Sequence, residues 1–217
     1  MKKLIAMGLT VIMTAVAVCG CGSSDSGNDA KKSDNQTKQQ AVKVIDVDLT
    51  SEEYAFGVDK NKPELLTQVN DFIKEIKDNG TFDEICNKYF GGGNPTPVKS
   101  EKLDTSKDQL LVATNASFEP FEYMKGDSYY GIDMEIAAAL AKKLNKELVI
   151  QNMEFDSVCL SVGQHKSDVA MAGLTVKEDR KKYVNFSDTY YNAAQRLIVK
   201  GDSTEFDSCK DKAAIEK

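Results

Sequence analysis

Arg180 follows the run Ala172-Gly173-Leu174-Thr175 at a spacing that suits carboxylate recognition. A guanidinium beside backbone N–H groups at a helix start can hold a carboxylate by a two-pronged hydrogen bond, helped by the helix dipole. Phe118 and Phe155, each placed just after an apolar run, could wall a flat or cationic ligand. Asn115, in Ala113-Thr114-Asn115-Ala116-Ser117-Phe118-Glu119-Pro120-Phe121, adds an amide at the same place in the pattern. The residue types do not suggest catalysis. His165 is the one histidine, it reads as an exposed helix end, and neither a Ser/His/Asp triad nor a metal cluster can be drawn around it. On residue type alone, Arg180 reads first as part of a solvated charge run, Glu178 to Lys182, while Phe121, Tyr123, Phe186, Tyr190 and Tyr191 read as packing.

These residues need a scaffold, and the hydrophobic pattern supplies one. Leu110–Thr114, Glu147–Met153, Asp168–Ala172 and Gln195–Val199 read as strands. Met134–Leu144 and Ser157–Gln164 read as helices, and Lys177–Tyr183 as a helical turn. Such alternation implies an α/β fold: an open, largely parallel sheet with helices on both faces. The three groups of candidate residues each follow a strand, where open α/β sheets form their ligand crevices. Upstream, Val42–Val47 and Glu53–Val58 read as short strands. Pro63 opens a helix with an apolar stripe of Leu65, Leu66, Val69, Phe72, Ile73 and Ile76, and Asn79-Gly80 stops it. Thr81-Phe82-Asp83-Glu84 has the form of a capping box for a second helix. Gly91–Asp108, rich in Gly, Pro, Lys and Ser, reads as a linker; no Gly-Lys-Ser or Gly-Lys-Thr follows its glycines, so it is not a phosphate loop.

The N-terminus is a separate unit. Lys2 and Lys3, an apolar run from Leu4 to Val18 and then Cys19-Gly20-Cys21 have the layout of a secretory signal, too short for a comfortable membrane span. Residues Gly22–Gln40 contain no aromatic or branched aliphatic side chain and read as a flexible tether. The chain carries 28 Lys and Arg against 34 Asp and Glu; losing residues 1–20 removes two lysines and no acid, leaving a net of −8. That balance speaks against nucleic acid as a partner. Beyond Cys21 stand Cys86, Cys159 and Cys209, an odd set at wide spacing that forms no disulfide framework; Cys86 and Cys159 read as small buried hydrophobes.

From Leu110 to Lys200 the chain resembles the amino-acid-binding proteins of ABC importers, with the type 2 periplasmic-binding-protein fold. The resemblance rests on a strand followed by Phe118-Glu119-Pro120-Phe121, the Gly131-Ile132-Asp133 start of the long helix, Phe155 after the next strand, and Ala172-Gly173-Leu174-Thr175 with Arg180. The block Asn185-Phe186-Ser187-Asp188-Thr189-Tyr190-Tyr191 completes it. The resemblance implies a ligand-binding set of Asn115, Phe118, Phe155, Gly173, Leu174, Thr175 and Arg180. Arg180 and Thr175 would take the α-carboxylate, the Gly173 carbonyl the α-ammonium group, and the two rings the side chain. Asn115 would suit a polar, neutral side chain. Val18-Cys19-Gly20-Cys21 resembles a lipobox, which implies a lipid on Cys21 and a protein anchored outside the cytoplasm. An amino acid, an ABC permease and the membrane are the implied partners, with no cofactor.

The segment Glu53–Phe90 resembles the end of such a protein yet precedes the part that resembles its beginning. The implied architecture is a single periplasmic-binding-protein-like lobe in circularly permuted order: residues 42–90 as the C-terminal-type piece, 91–108 as linker, 109–202 as the N-terminal-type piece and 203–217 as the start of an absent second lobe. Without that lobe the expected binding is weak, since small ligands are held by closure of two lobes. Two other readings follow: a lone lobe that pairs by strand exchange or with a second-lobe partner, and an enzyme akin to a dehydratase of the same fold, which lacks a recognisable acid/base pair here.

Overall fold

The structure is a computed structural model that describes residues 41–216. The signal-like run, Cys21 and the tether lie outside the described residues. In chain order the elements are β1 (Val42–Val44), β2 (Glu52–Tyr54), β3 (Gly57–Asp59), α1 (Pro63–Asp78), α2 (Thr81–Phe90), β4 (Gln109–Thr114), β5 (Ser117–Phe118), β6 (Glu122–Lys125) and β7 (Ser128–Tyr130). There follow α3 (Ile132–Lys143), β8 (Glu147–Asn152), α4 (Phe155–Gly163), β9 (Val169–Ala170), a 3-10 turn (Arg180–Lys182), β10 (Val184–Phe186), β11 (Tyr191–Ala193), β12 (Ile198–Lys200) and α5 (Lys212–Ile215).

The central sheet has the order β10-β3-β9-β4-β8. Its β9-β4-β8 half is parallel, as the alternation of strand and helix predicts, but β3 runs antiparallel to both β9 and β10. Four of the five strands therefore point the same way, as a largely parallel sheet requires, and β3 alone runs against them. The reason is the connection: β3 comes from the upstream segment and needs no crossover helix to reach its place, whereas β4, β8 and β9 are joined through α3 and α4. Helices do cover both faces. The apolar stripe of α1, with α2 and α3, packs on Val58, Leu110, Val112, Leu148, Ile150 and Val169. On the other face Val158, Cys159 and Val162 of α4 pack on Ala113, Ala170, Ala172 and Val184. Residues upstream and downstream of the linker thus share one sheet and one core.

Several local readings change. The stretch 53–58 is broken into β2 and β3 by the buried pair Ala55-Phe56, so β2 leaves the central sheet and pairs with β11. The capping box does not form. Gly80, in a left-handed conformation at φ 82°, is the N-cap of α2, and the Asn79 side chain accepts the Thr81 N–H at 2.9 Å instead. The linker has no regular structure, yet it is pinned along the edge strand β8: Glu101 N–H donates to the Leu148 carbonyl at 2.8 Å and Ile150 N–H to Ser100 Oγ at 2.8 Å. Val98, buried, bridges to Tyr129. Docking a chain along β8 covers an edge that would otherwise present unpaired N–H and C=O groups.

Two features fix the site from below. Gly131, at φ 125°, starts α3 where a Cβ would lie 2.0 Å from the Phe121 carbonyl oxygen, so only glycine allows the helix to begin against β6. The β1–β12 ribbon, paired over Val42–Val44 and Ile198–Lys200, brings the start of the described chain beside the segment that leaves the core. Cys159 is buried as expected; Cys86 is half-buried against the core, its thiol pushed up to about 12 by burial.

Candidate ligand-binding site

Asn115, Phe155 and Gly173 stand directly beyond the C-terminal ends of β4, β8 and β9, the three parallel strands, and meet in one cleft of ≈ 320 Å³. Its lining includes Phe118, Thr175 and Arg180 as well, so six of the seven sequence-predicted residues are brought together. Leu174 is the exception. Its side chain is buried in the core against α4, and its carbonyl accepts the Ala55 N–H at 3.0 Å, so it holds the loop rather than lining the cleft. Tyr54 and Thr175 form an antiparallel bridge, and Val176 N–H donates to Glu53 at 3.1 Å. The upstream strand β2 is thus the splint that positions the loop 172–176.

Arg180 sits at the start of a three-residue 3-10 turn, too short to supply the dipole that a longer helix would, so its charge stands without that support. Its Nη1 donates to the Thr175 carbonyl at 2.9 Å and its guanidinium carbon lies 5.0 Å from the centre of the Phe155 ring. Among the described residues it has no carboxylate partner, unlike Arg196, which pairs with Asp46 and Asp48. Phe118 and Phe155 are 43% and 38% exposed. Phe118 is held by stacking on buried Phe121, with ring centres 5.5 Å apart. Asn115 donates from Nδ2 to the Met153 carbonyl at 2.8 Å, which fixes its amide in the cleft wall.

Sequence reasoning missed the acidic half of the site. Glu52 lines the cleft and accepts from Thr50 Oγ1, the Tyr54 hydroxyl and Gln195 Nε2. Glu122 lines it too, is only 1% exposed, and both of its carboxyl oxygens lack a hydrogen-bond partner among the described residues. Asp133, fully buried at the start of α3, accepts the Gly173 N–H at 2.9 Å and the Tyr190 hydroxyl at 2.6 Å. Burial, followed by the charge of Asp133, pushes Glu122 up to about 11; burial pushes Asp133 up to about 7 against the pull of its two donors. Burial and the Glu52 carboxylate push the Tyr54 hydroxyl up to about 12. One signal for Glu122 was present in the sequence: an acid between two aromatics, Phe121 and Tyr123, in a strand whose neighbours on both sides are buried. For Asp133 the second position of a helix is a common place for an acid, so nothing marked it as buried.

The tie from Asp133 to Gly173 has a geometric result. It engages the Gly173 N–H, holds that residue at φ 51°, and leaves the Gly173 carbonyl without a hydrogen bond among the described residues. An ammonium group would find an acceptor there, and a carboxylate would find Arg180 a few residues on.

The chain matches the family of bacterial extracellular solute-binding proteins, family 3, over residues 10–92 and 110–214, and it belongs to that family. Among curated relatives it is similar to the arginine-binding extracellular protein ArtP of Bacillus subtilis, 40% identical over 100 residues, which cover 46% of this chain and 39% of ArtP. It is also similar to the arginine-binding periplasmic protein of Mannheimia haemolytica, 34% identical over 108 residues, covering 49% of this chain and 45% of the relative. Among solved structures, the arginine-bound form of domain 1 from TmArgBP is 34% identical, covers 48% of this chain and 90% of that one, and has a TM-score of 0.39. The chain thus spans less than half the length of the curated relatives it matches.

Proposed function

We propose that the chain is a lipid-anchored, extracytoplasmic binding protein for a cationic amino acid of the arginine type, which it hands to an ABC importer. The observation that carries this reading is the charge layout of one cleft: a guanidinium free of carboxylates, Arg180, beside two carboxyl groups, Glu52 and Glu122, with exposed Phe118 and Phe155 rings among them. Arg180 would take the α-carboxylate, with the Thr175 N–H and hydroxyl, and the Gly173 carbonyl the α-ammonium group. The rings would flank the side chain and a carboxyl would meet its cationic end. Asn115 alone suggests a neutral side chain; the two acids beside it shift the reading to a cationic one, in keeping with the arginine-binding names of the relatives. Cys21 would carry the anchor.

The order of the pieces is part of the proposal. The family match falls in two stretches on either side of the linker, and β3 from the first lies between β9 and β10 from the second. Both facts support a permuted lobe, with β1 and β12 as the paired strands that lead toward a second lobe. A thermal-shift and calorimetric screen tests the function. Arginine should raise the melting temperature, lysine less and glutamate not at all; no response to any amino acid, with or without a second-lobe partner, rejects it.

A second reading has its own observation. In the β1–β12 ribbon Val42, Val44 and Ile198 share one face and are exposed, which fits a strand-exchanging or partner-bound lobe. Light scattering decides: a strictly monomeric mass removes the self-paired form.

A further inference from the structure

Glu122 is a buried carboxyl in the cleft lining whose two oxygens have no hydrogen-bond partner among the described residues. It enters from β6, and the groups packed around it come from every side. Asp133 faces it from α3, and the Tyr54 and Tyr190 hydroxyls stand close enough to feel its charge. Glu52 and Arg180 share the cleft lining, and Glu119 and Tyr123 flank it on its own hairpin. None of these donates a hydrogen bond to it. The two buried carboxyls are therefore unequal. Asp133 receives the Gly173 N–H and the Tyr190 O–H, donors that stabilise a carboxylate, whereas Glu122 receives none. When the pair holds one negative charge, Asp133 carries it and Glu122 keeps the proton; the raised position of Glu122 agrees with this.

We infer that docking of a cationic side chain in this cleft is coupled to loss of a proton from Glu122, so that the site takes up arginine and gives a hydrogen ion to the solvent in one event. The balance is simple: the Glu122 carboxyl O–H breaks, its electron pair stays on the oxygen, the proton leaves to water or buffer, and the carboxylate pairs with the ligand cation. The inference rests on the proposed function, because it needs arginine in the cleft. It adds that specificity is proton-linked. A cation gains an ion pair only after the proton leaves, whereas a neutral isostere of the side chain can use the protonated carboxyl as a hydrogen-bond donor.

The test is calorimetry of L-arginine with the full chain near neutral pH, in buffers of different ionisation heat. Binding should release about one proton per ligand, and the affinity should tighten by up to about tenfold per pH unit through the neutral range. L-citrulline, which replaces the guanidinium by a neutral urea, should bind with no proton release in the same protein, and Glu122→Gln should bind arginine more weakly and without pH dependence. Arginine binding with no buffer dependence, or a proton release that persists in Glu122→Gln, overturns the inference and leaves the proposed function standing. Failure to bind any amino acid overturns both.

Discussion

At the lip of the cleft, Arg180 donates one hydrogen bond, to the Thr175 carbonyl, and Phe118 and Phe155 each show more than a third of their surface. At the floor, Asp133 has both oxygens bonded, and Tyr190 is buried with its ring stacked 4.2 Å from Phe56. The lip holds donors and rings in excess of what the protein itself uses; the floor uses almost everything it has. Glu122 departs from that pattern: it lies as deep as the floor yet is as unpartnered as the lip. Groups left over at the lip can be removed at the expense of affinity alone. Groups used at the floor hold together α3, the loop 172–176 and the segment around Tyr190, so removing them costs the fold first.

Among the polar groups of the cleft, the largest expected effect on stability is therefore at the floor. Asp133→Ala leaves the Tyr190 hydroxyl and the Gly173 N–H buried without an acceptor, each a penalty of about 1–3 kcal/mol, offset in part because a buried carboxyl no longer has to be desolvated. Urea unfolding should show a loss of about 2–4 kcal/mol, with ligand binding lost as well. An unchanged midpoint would mean that the three groups are not joined as the structure shows.

At the lip, Arg180→Ala should leave the urea midpoint nearly unmoved, since only one hydrogen bond to a carbonyl is lost. Affinity for arginine should fall by about 100-fold, the equivalent of about 3 kcal/mol for a charge-assisted pair. Arg180→Lys keeps the charge but not the fork and should recover only part of that. A large stability loss with binding intact would reverse the assignment of Arg180 to the lip.

The same division explains what the sequence made legible. Asn115, Phe118, Phe155, Gly173, Thr175 and Arg180 lie in three short runs, each directly after a strand, and a strand end is visible in a hydrophobic pattern. Glu52, Glu122, Asp133 and Tyr190 come from β2, β6, the start of α3 and the end of a loop, with nothing local to join them. Their role is set by tertiary burial, which turns an ordinary acid near a helix start into a buried acceptor. The antiparallel placement of β3 is of the same kind. Its three residues pair with strands more than a hundred positions away, a register that no local periodicity encodes. Thr81 shows the converse case, a correct local signal set aside because Asn79 and Gly80 already form the helix start.

The comparison is sharpened by pH. Glu122 lies raised from 4.5 to about 11 and Asp133 from 3.8 to about 7, both chiefly by burial. An acid raised on folding favours the folded state while it is protonated in both states. That contribution is full below the unfolded value and is lost as pH rises toward the folded one. Stability should therefore decline from about pH 4 upward, by at most about 1.4 kcal/mol per pH unit for each group. Glu122→Gln removes one of the two slopes, so the variant should fall off less steeply in chemical denaturation and exceed the parent chain above neutral pH. Identical slopes would place the titrating charge elsewhere than at the floor.

The smallest effect is expected from the two rings. Phe118 and Phe155 are 43% and 38% exposed, so replacing either by Ala gives up only part of a ring's burial, and stability should drop by no more than about 1 kcal/mol. Phe121, buried beneath Phe118 at 5.5 Å, is the internal control: Phe121→Ala should cost about 3–5 kcal/mol, as core aromatics do. For binding the order reverses. A ring beside a cation contributes roughly 0.5–2 kcal/mol, so Phe118→Ala and Phe155→Ala should each weaken arginine by about tenfold. Phe155→Ala should be the more damaging, because that ring also lies 5.0 Å from the Arg180 guanidinium and limits where it can swing. Equal losses for arginine and for a short aliphatic amino acid would show that the rings contribute area alone and not the cation contact.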